Sequence, residues 1–580
     1  IEMTGPAAPK DPEKARPFFY ILKDKDIFGE RQKDGTGIQF IYESDGRLIN
    51  SAQITGNVTD KEELTLLETV EGFGRLVHSI GVSVETDRPE ETAEFVFQMY
   101  GKKDLYGGGT NLTASLKCDG MEHRIYLSDY RWTEDDHVPG QIKILFAAPE
   151  RMGKVSVRLF LNDGYEAPPE EEDLVIDMHS EEYCGMISRS LLQLGNPYRI
   201  RKAIEKSKAG KEVTLAYIGG SITQGAGAIP IHTECYAYKS FQLFQNRFST
   251  QNNVRFIKAG VGGTPSELGM IRFDRDVLRE EERPDIVVIE FAVNDEGDET
   301  KGVCYESLVR KVLKLPWKPA VVLLFSVFAN DWNLQERLRP VGDLYDLPMV
   351  SIRDAVTPQF SLKCGEGRIL SKNQFFYDIF HPNNIGHTIM ADCLQYLFEC
   401  CDAAEPARVG TFVEGMTEEQ ILSEKLSGPA VIGADFERIF LLDKKNRYVG
   451  AKIRAGGFTS TDMELQSVEM DGNLTQTPEF PYNWMYDGSR LQMPGFEMEI
   501  TCKSLFLIFK DSGEMDVGKA NVFVNDVYCM TADPHKNNWL HCNAVLLFWE
   551  TESRSHKVRI AVTEEDRNKK FTILGFGYTI

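Results

Sequence analysis

Four short segments of the chain carry residue types that can do hydrolytic chemistry. The first is Gly219-Gly220-Ser221-Ile222-Thr223-Gln224-Gly225. Glycines at a strand exit let the backbone turn sharply. A serine there, ahead of a helix, holds its hydroxyl near helix N–H groups, which suits a nucleophile. Two plainer readings compete, because such a turn can cradle a phosphate and serine also caps helices. The spacing matches neither Gly-x-Gly-x-x-Gly nor a P-loop with its lysine, and nucleotide binding here lacks its acidic ribose partner. The second segment, Ala259-Gly260-Val261-Gly262-Gly263-Thr264-Pro265-Ser266, lets a backbone N–H approach a ligand oxygen. The third, Val293-Asn294-Asp295, offers an amide that can donate to an oxyanion, although Asn and Asp are ordinary turn residues. The fourth is Asp378-Ile379-Phe380-His381-Pro382-Asn383. Histidine is the usual general base near neutral pH, and an aspartate three residues earlier can fold back to hold its Nδ1. The bland alternative is a surface turn with a helix-capping Asn.

These segments need elements to hold them. Across residues 188–401, short apolar strands at 213–218, 254–257, 286–291, 321–325 and 348–352 alternate with helical patterns at 236–248, 266–282 and 385–398. Ser266 reads as an N-cap. Such alternation predicts a parallel sheet covered on both faces, with ligands at the carboxyl ends of its strands. Three of the segments follow strands there, and the fourth precedes the last helix. Residues 38–165 and 428–580 instead show period-two alternation broken by Gly, Asn and Asp, the texture of antiparallel sheets. The division predicted is an N-terminal β-sandwich over 1–185, a central α/β domain over 186–405 and a C-terminal β-sandwich over 406–580. Stretches near 167–173 and 405–415 read as linkers.

Composition narrows the function. The chain has 580 residues, 42% hydrophobic and 26% charged, which excludes disorder as its main state. Its net charge of −23 argues against nucleic acid and anionic membranes as partners. No apolar stretch approaches the ~18 residues of a spanning helix. No signal peptide is visible, and the eleven cysteines include no C-x-x-C pair, so a reducing cytoplasm is expected. There is no His-Glu-x-x-His and no paired cysteine ligand set, so neither metal nor organic cofactor is expected.

Taken together and in order, Ser, Gly, Asn and Asp-x-x-His resemble the four sequence blocks of the SGNH, or GDSL-like, hydrolase superfamily. The resemblance covers roughly residues 188–403. It implies an SGNH-type three-layer α/β domain and a serine esterase. Ser221 would be the nucleophile, with His381 and Asp378 completing the catalytic triad. Ser221, Gly263 and Asn294 would form the oxyanion hole, with Gly262 the alternative to Gly263. Several positions depart from the family pattern. Gly220 replaces Asp, Ile222 replaces Leu, Lys258 replaces Asn and Ala292 replaces Gly.

SGNH members with a β-sandwich or jelly roll beside the hydrolase are commonly carbohydrate esterases. The expected substrate is therefore an acetylated oligosaccharide, deacetylated through an acyl-enzyme. The alternatives are a general short-chain acyl esterase or thioesterase, or a carbohydrate-binding protein with a dead hydrolase core. Aromatics suited to sugar faces occur at 480–486, so Trp484 and Tyr486 are expected substrate contacts. His232 is expected to line the pocket. At least one sandwich, the C-terminal one for preference, is expected beside the catalytic mouth. Oligomerisation is left open.

Overall fold

The computed structural model describes residues 3–4, 10–42, 47–404 and 416–580, so the 405–415 linker lies outside the described residues. In the central region six strands form one sheet. Their order is Leu191–Gln193, Met349–Ser351, Ala320–Phe325, Ile286–Glu290, Val213–Gly219, Val254–Gly260. The last five pair in parallel, and Leu191–Gln193 runs antiparallel at the edge. Alternation splits each strand between two faces. Ala216, Ile218, Val287 and Ile289 enter one core, and Leu215, Tyr217, Ile286 and Val288 enter the other. Helix Val303–Leu313 covers the first face, and helices Tyr236–Phe248 and Asn384–Ala403 cover the second. Burial on both sides explains why the strands read as unbroken apolar runs.

Two local expectations change. The 266–282 helix is Ser266–Phe273 followed by a widened π-helical turn, Asp274–Leu278, that stops at Arg279 with φ 46°. The boundary expected between 185 and 186 falls inside helix Glu181–Ser188, which buries Tyr183, Met186 and Ile187 in the central core.

The N-terminal region holds antiparallel sheets of five and four strands around one core of its own. Strand Asn111–Lys117 alternates exposed and buried residues throughout, as a sheet with one wet face requires. Helices Arg47–Thr55, Lys61–Thr65 and Val70–Leu76 interrupt the expected strand texture. They turn Leu48, Leu64, Val70 and Phe73 into that same core.

The C-terminal region is an eight-stranded sheet built on the long antiparallel pair Phe496–Asp511 and His541–Val562. Leu505, Leu507 and Phe509 close a core within this region. Phe506 and Ile508, on the opposite face, join Ala544 and Leu574 in the core of the central region. Among the described residues no helix is long and apolar enough to cross a membrane.

Candidate active site

The nucleophile candidate stands where the first parallel strand ends. Val213–Gly219 runs out at Gly219, and Ser221 opens the single helical turn Ser221–Gln224. Beneath it the fully buried Arg272 donates to Gly219 O at 2.8 Å and Ala259 O at 2.7 Å. One guanidinium thereby ties together the ends of two adjacent strands, and with them the first two loops.

The loop before helix Asn384–Ala403 supplies the base. Asp378 Oδ1 accepts the backbone N–H groups of Phe380 and His381, each at 2.8 Å, so the turn is closed by its own aspartate. The same carboxylate meets His381 Nδ1 at 2.9 Å, and His381 Nε2 lies 2.9 Å from Ser221 Oγ. With Nδ1–H donated to the carboxylate, Nε2 is the acceptor for the serine hydroxyl. Asp378, His381 and Ser221 therefore form one continuous hydrogen-bond chain. Lys25 of the N-terminal strand Phe18–Phe28 donates to Phe376 O at 2.8 Å and Tyr377 O at 2.6 Å, directly before Asp378.

Gly262, Gly263 and Asn294 lie in the wall of the cavity that Ser221 and His381 also line. A Cβ on Gly220 would collide with the Asn294 side chain, which gives a reason for glycine in place of the family's Asp. Gly263 has φ 70°, and a Cβ there would sit 2.7 Å from the Trp539 ring, so glycine is required twice over. Asp295 accepts the N–H of Ser266 at 2.7 Å and its hydroxyl at 2.8 Å, bracing the third loop against the second. Ser266 thus uses its hydroxyl on Asp295, and the helix N-cap is Pro265.

The carboxyl of Glu290, buried at the end of its strand, is pushed up to about 7 by desolvation. The hydroxyl of Thr223, which donates to its Oε2 at 3.2 Å, pulls the other way.

The cavity measures about 900 Å³ and all three regions line it. From the N-terminal region come Leu48, Ile49, Tyr106 and Val138; from the C-terminal region come Asn538 and Trp539. Tyr106 and Trp539 line the same cavity, so the two outer regions meet at it. Two expected substrate contacts are corrected. Trp484 and Tyr486 are each 6% exposed within the C-terminal core. Strand Trp484–Tyr486 points both inward, because alternate residues share a face. Trp539, 44% exposed, stands at the mouth instead. His232 is likewise corrected. It does not line this cavity, and desolvation and nearby Lys258 lower its imidazole.

Elsewhere, buried Glu267, Asp298 and Cys304 bring ligand-type atoms within 4.8 Å of one another. The Asp298 carboxylate is already occupied by the N–H groups of Thr300 and Gly302 and by the Thr300 hydroxyl. Burial and the neighbouring acids Asp298, Glu299 and Asp295 raise Glu267 far above an ordinary carboxyl.

Residues 217–389 match the family model of the GDSL-like lipase/acylhydrolases. No curated protein sequence matches the chain. Among solved structures, a two-domain esterase active on acetylated mannans aligns over 68% of this chain and 98% of its own, at 24% identity and a TM-score of 0.54. A structure of such an esterase co-crystallised with mannopentaose aligns over the same shares at 24% identity and a TM-score of 0.53. That likeness is one of fold, an SGNH-like domain with a sheet-rich flank, and it leaves about a third of this chain unmatched.

Proposed function

The central region is a GDSL-like hydrolase domain, and from that premise we propose that the chain is a serine esterase removing O-acetyl groups from an oligosaccharide. The observation that carries this reading is the unbroken Asp378–His381–Ser221 chain opening on a shared cavity. His381 takes the hydroxyl proton of Ser221 as Oγ attacks the ester carbonyl. Asp378 holds the imidazole tautomer and stabilises its cation. The N–H groups of Ser221 and Gly263 and the Asn294 amide receive the oxyanion, each donor being worth about 2.7–4 kcal/mol. Collapse expels the sugar alkoxide, which takes the proton from His381. Water then attacks the acyl-enzyme with the same base, releasing acetate and Ser221.

The relative active on acetylated mannans supports a carbohydrate ester, as does an exposed Trp539 beside Asn538 at the mouth. For the chain as a whole we read two β-sandwiches flanking the catalytic domain. The N-terminal boundary is drawn back to take in Glu181–Ser188.

A second reading has its own observation. Leu48, Ile49, Leu67, Leu105 and Val138 make one side of the cavity apolar, which would suit an acyl chain longer than acetyl. Nitrophenyl esters of rising length separate the two. The acetyl reading expects the acetate to exceed the octanoate by at least about tenfold, ~1.4 kcal/mol. Acetate release from acetylated manno-, xylo- and cello-oligosaccharides, absent in Ser221→Ala, tests the sugar. Rates that rise with chain length, and no release from any sugar, would replace the proposal with the second reading.

A further inference from the structure

The Gly262-Gly263 pair lies in the wall of the cavity beside Ser221. Neither residue has a Cβ, and Gly263 sits at φ 70°, so nothing intrinsic aims the N–H of Gly263. The peptide joining them is planar and trans, so its C=O and N–H point in opposite directions. Whatever holds Gly262 O therefore aims the N–H of Gly263.

That holder comes from the C-terminal region. Gln466 is only 8% exposed, and its Nε2 donates to Gly262 O at 2.8 Å. Its Oε1 accepts the N–H of Cys542 at 2.9 Å, in the strand His541–Val562. Both ends of the amide are thus spoken for, which fixes its orientation. The next carbonyl is held from the same region. His541 Nε2 lies 2.9 Å from Gly263 O, while the Asn537 amide donates to Nδ1 at 3.2 Å and so leaves the proton on Nε2. A Cβ built on Gly262 would lie 3.8 Å from Ser221 Cβ, so the peptide that Gln466 grips runs beside the nucleophile.

We infer that Gln466 is a positioning residue for the oxyanion hole, fixing the 262–263 peptide so that the N–H of Gly263 faces the developing negative charge. This rests on the esterase reading above. Gln466 does not line the cavity. Its effect belongs to the transition state, where the oxyanion forms, and not to substrate binding.

The test is Gln466→Met, which keeps the side-chain length and removes both hydrogen bonds, assayed with nitrophenyl acetate. Deleting an oxyanion donor costs roughly 100- to 1,000-fold in kcat. A donor that is present but unaimed should cost roughly 10- to 100-fold in kcat, with KM within about twofold. Gln476→Ala, in the strand Gln476–Pro478 that pairs with Ser467–Glu469 and away from the cavity, should leave kcat unchanged. A second variant, Gln466→Glu, covers the case in which the methionine variant does not fold. Its carboxylate still accepts from Cys542 but cannot donate to Gly262 O until protonated. Its kcat relative to wild type should therefore climb as pH falls, a trend that a packing role does not produce. A folded Gln466→Met with kcat within twofold of wild type, or a pH-flat ratio near one for Gln466→Glu, overturns the inference. Wild-type protein without turnover would instead sink the esterase reading itself.

Discussion

The two outer regions look alike in sequence texture and differ in how they meet the centre. The C-terminal sheet puts Phe506, Ile508, Ala544 and Leu574 into the same core as the parallel strands. The N-terminal region keeps a separate core. It reaches the centre through polar contacts, such as Lys25 on the carbonyls before Asp378 and Arg368 on Glu171 at 2.8 Å, and through side packing of Ile54 on the central core and of Tyr377 on its own core. Each nevertheless grips one half of the candidate machinery. The C-terminal region holds the glycine loop and the N-terminal region holds the Asp-x-x-His loop. Sharing a core and contributing to a site are thus separable: one region is structurally fused to the hydrolase, and the other is docked on it.

The largest effect should come from breaking the fused side. A fully buried Leu, Ile or Phe contributes ~1.5–3 kcal/mol, so exposing that face would cost as much as a domain's whole ~5–15 kcal/mol stability. Chains ending before residue 416 should fail to give a folded central domain by circular dichroism and thermal melting. A cooperative melt in that truncation would show that the cores are not shared in any energetic sense.

Removing residues 1–173 should be survivable. The remainder should melt cooperatively but lose roughly 10- to 100-fold in kcat on nitrophenyl acetate, because small misplacements of catalytic groups cost about that much. Lys25→Met should reproduce most of the kinetic loss in the full chain. If the deletion cost far more than the single substitution, the N-terminal region would be acting by another route.

Substrate selectivity gives the smallest contrast. Trp539→Ala should lower kcat/KM on an acetylated oligosaccharide by roughly tenfold and on nitrophenyl acetate by less than about threefold, since remote binding energy acts only on the larger substrate. Trp484→Ala should destabilise by about 3–5 kcal/mol without changing the ratio of the two activities. Equal ratios in both variants would remove Trp539 from the mouth.

The triad candidates were legible because each segment is local. Asp378 and His381 are three residues apart in one self-closed turn, and Ser221 follows a strand whose apolar run marks it as buried. The parallel pairing of five strands followed from strand–helix alternation, whereas the antiparallel edge strand Leu191–Gln193 did not. What escaped were contacts from far along the chain. Gln466 is 204 residues from Gly262, and Lys25 is 351 from Phe376. Neither has a motif, and a buried polar side chain shows itself only once its acceptor is placed. Trp484 was misread for a different reason. An aromatic cluster in a strand gives composition without face, and here the register turned Trp484 and Tyr486 inward. The helices over 47–76 escaped because the strand texture on either side of them was read straight through.

The most direct test is to ask which atom forms the covalent bond. A serine-directed fluorophosphonate, followed by peptide mass spectrometry, should place its label on Ser221 alone. Labelling should be abolished by Ser221→Ala and strongly slowed by His381→Ala, in parallel with the loss of nitrophenyl acetate turnover. A label on another residue, or undiminished turnover in Ser221→Ala, would contradict the account at its centre.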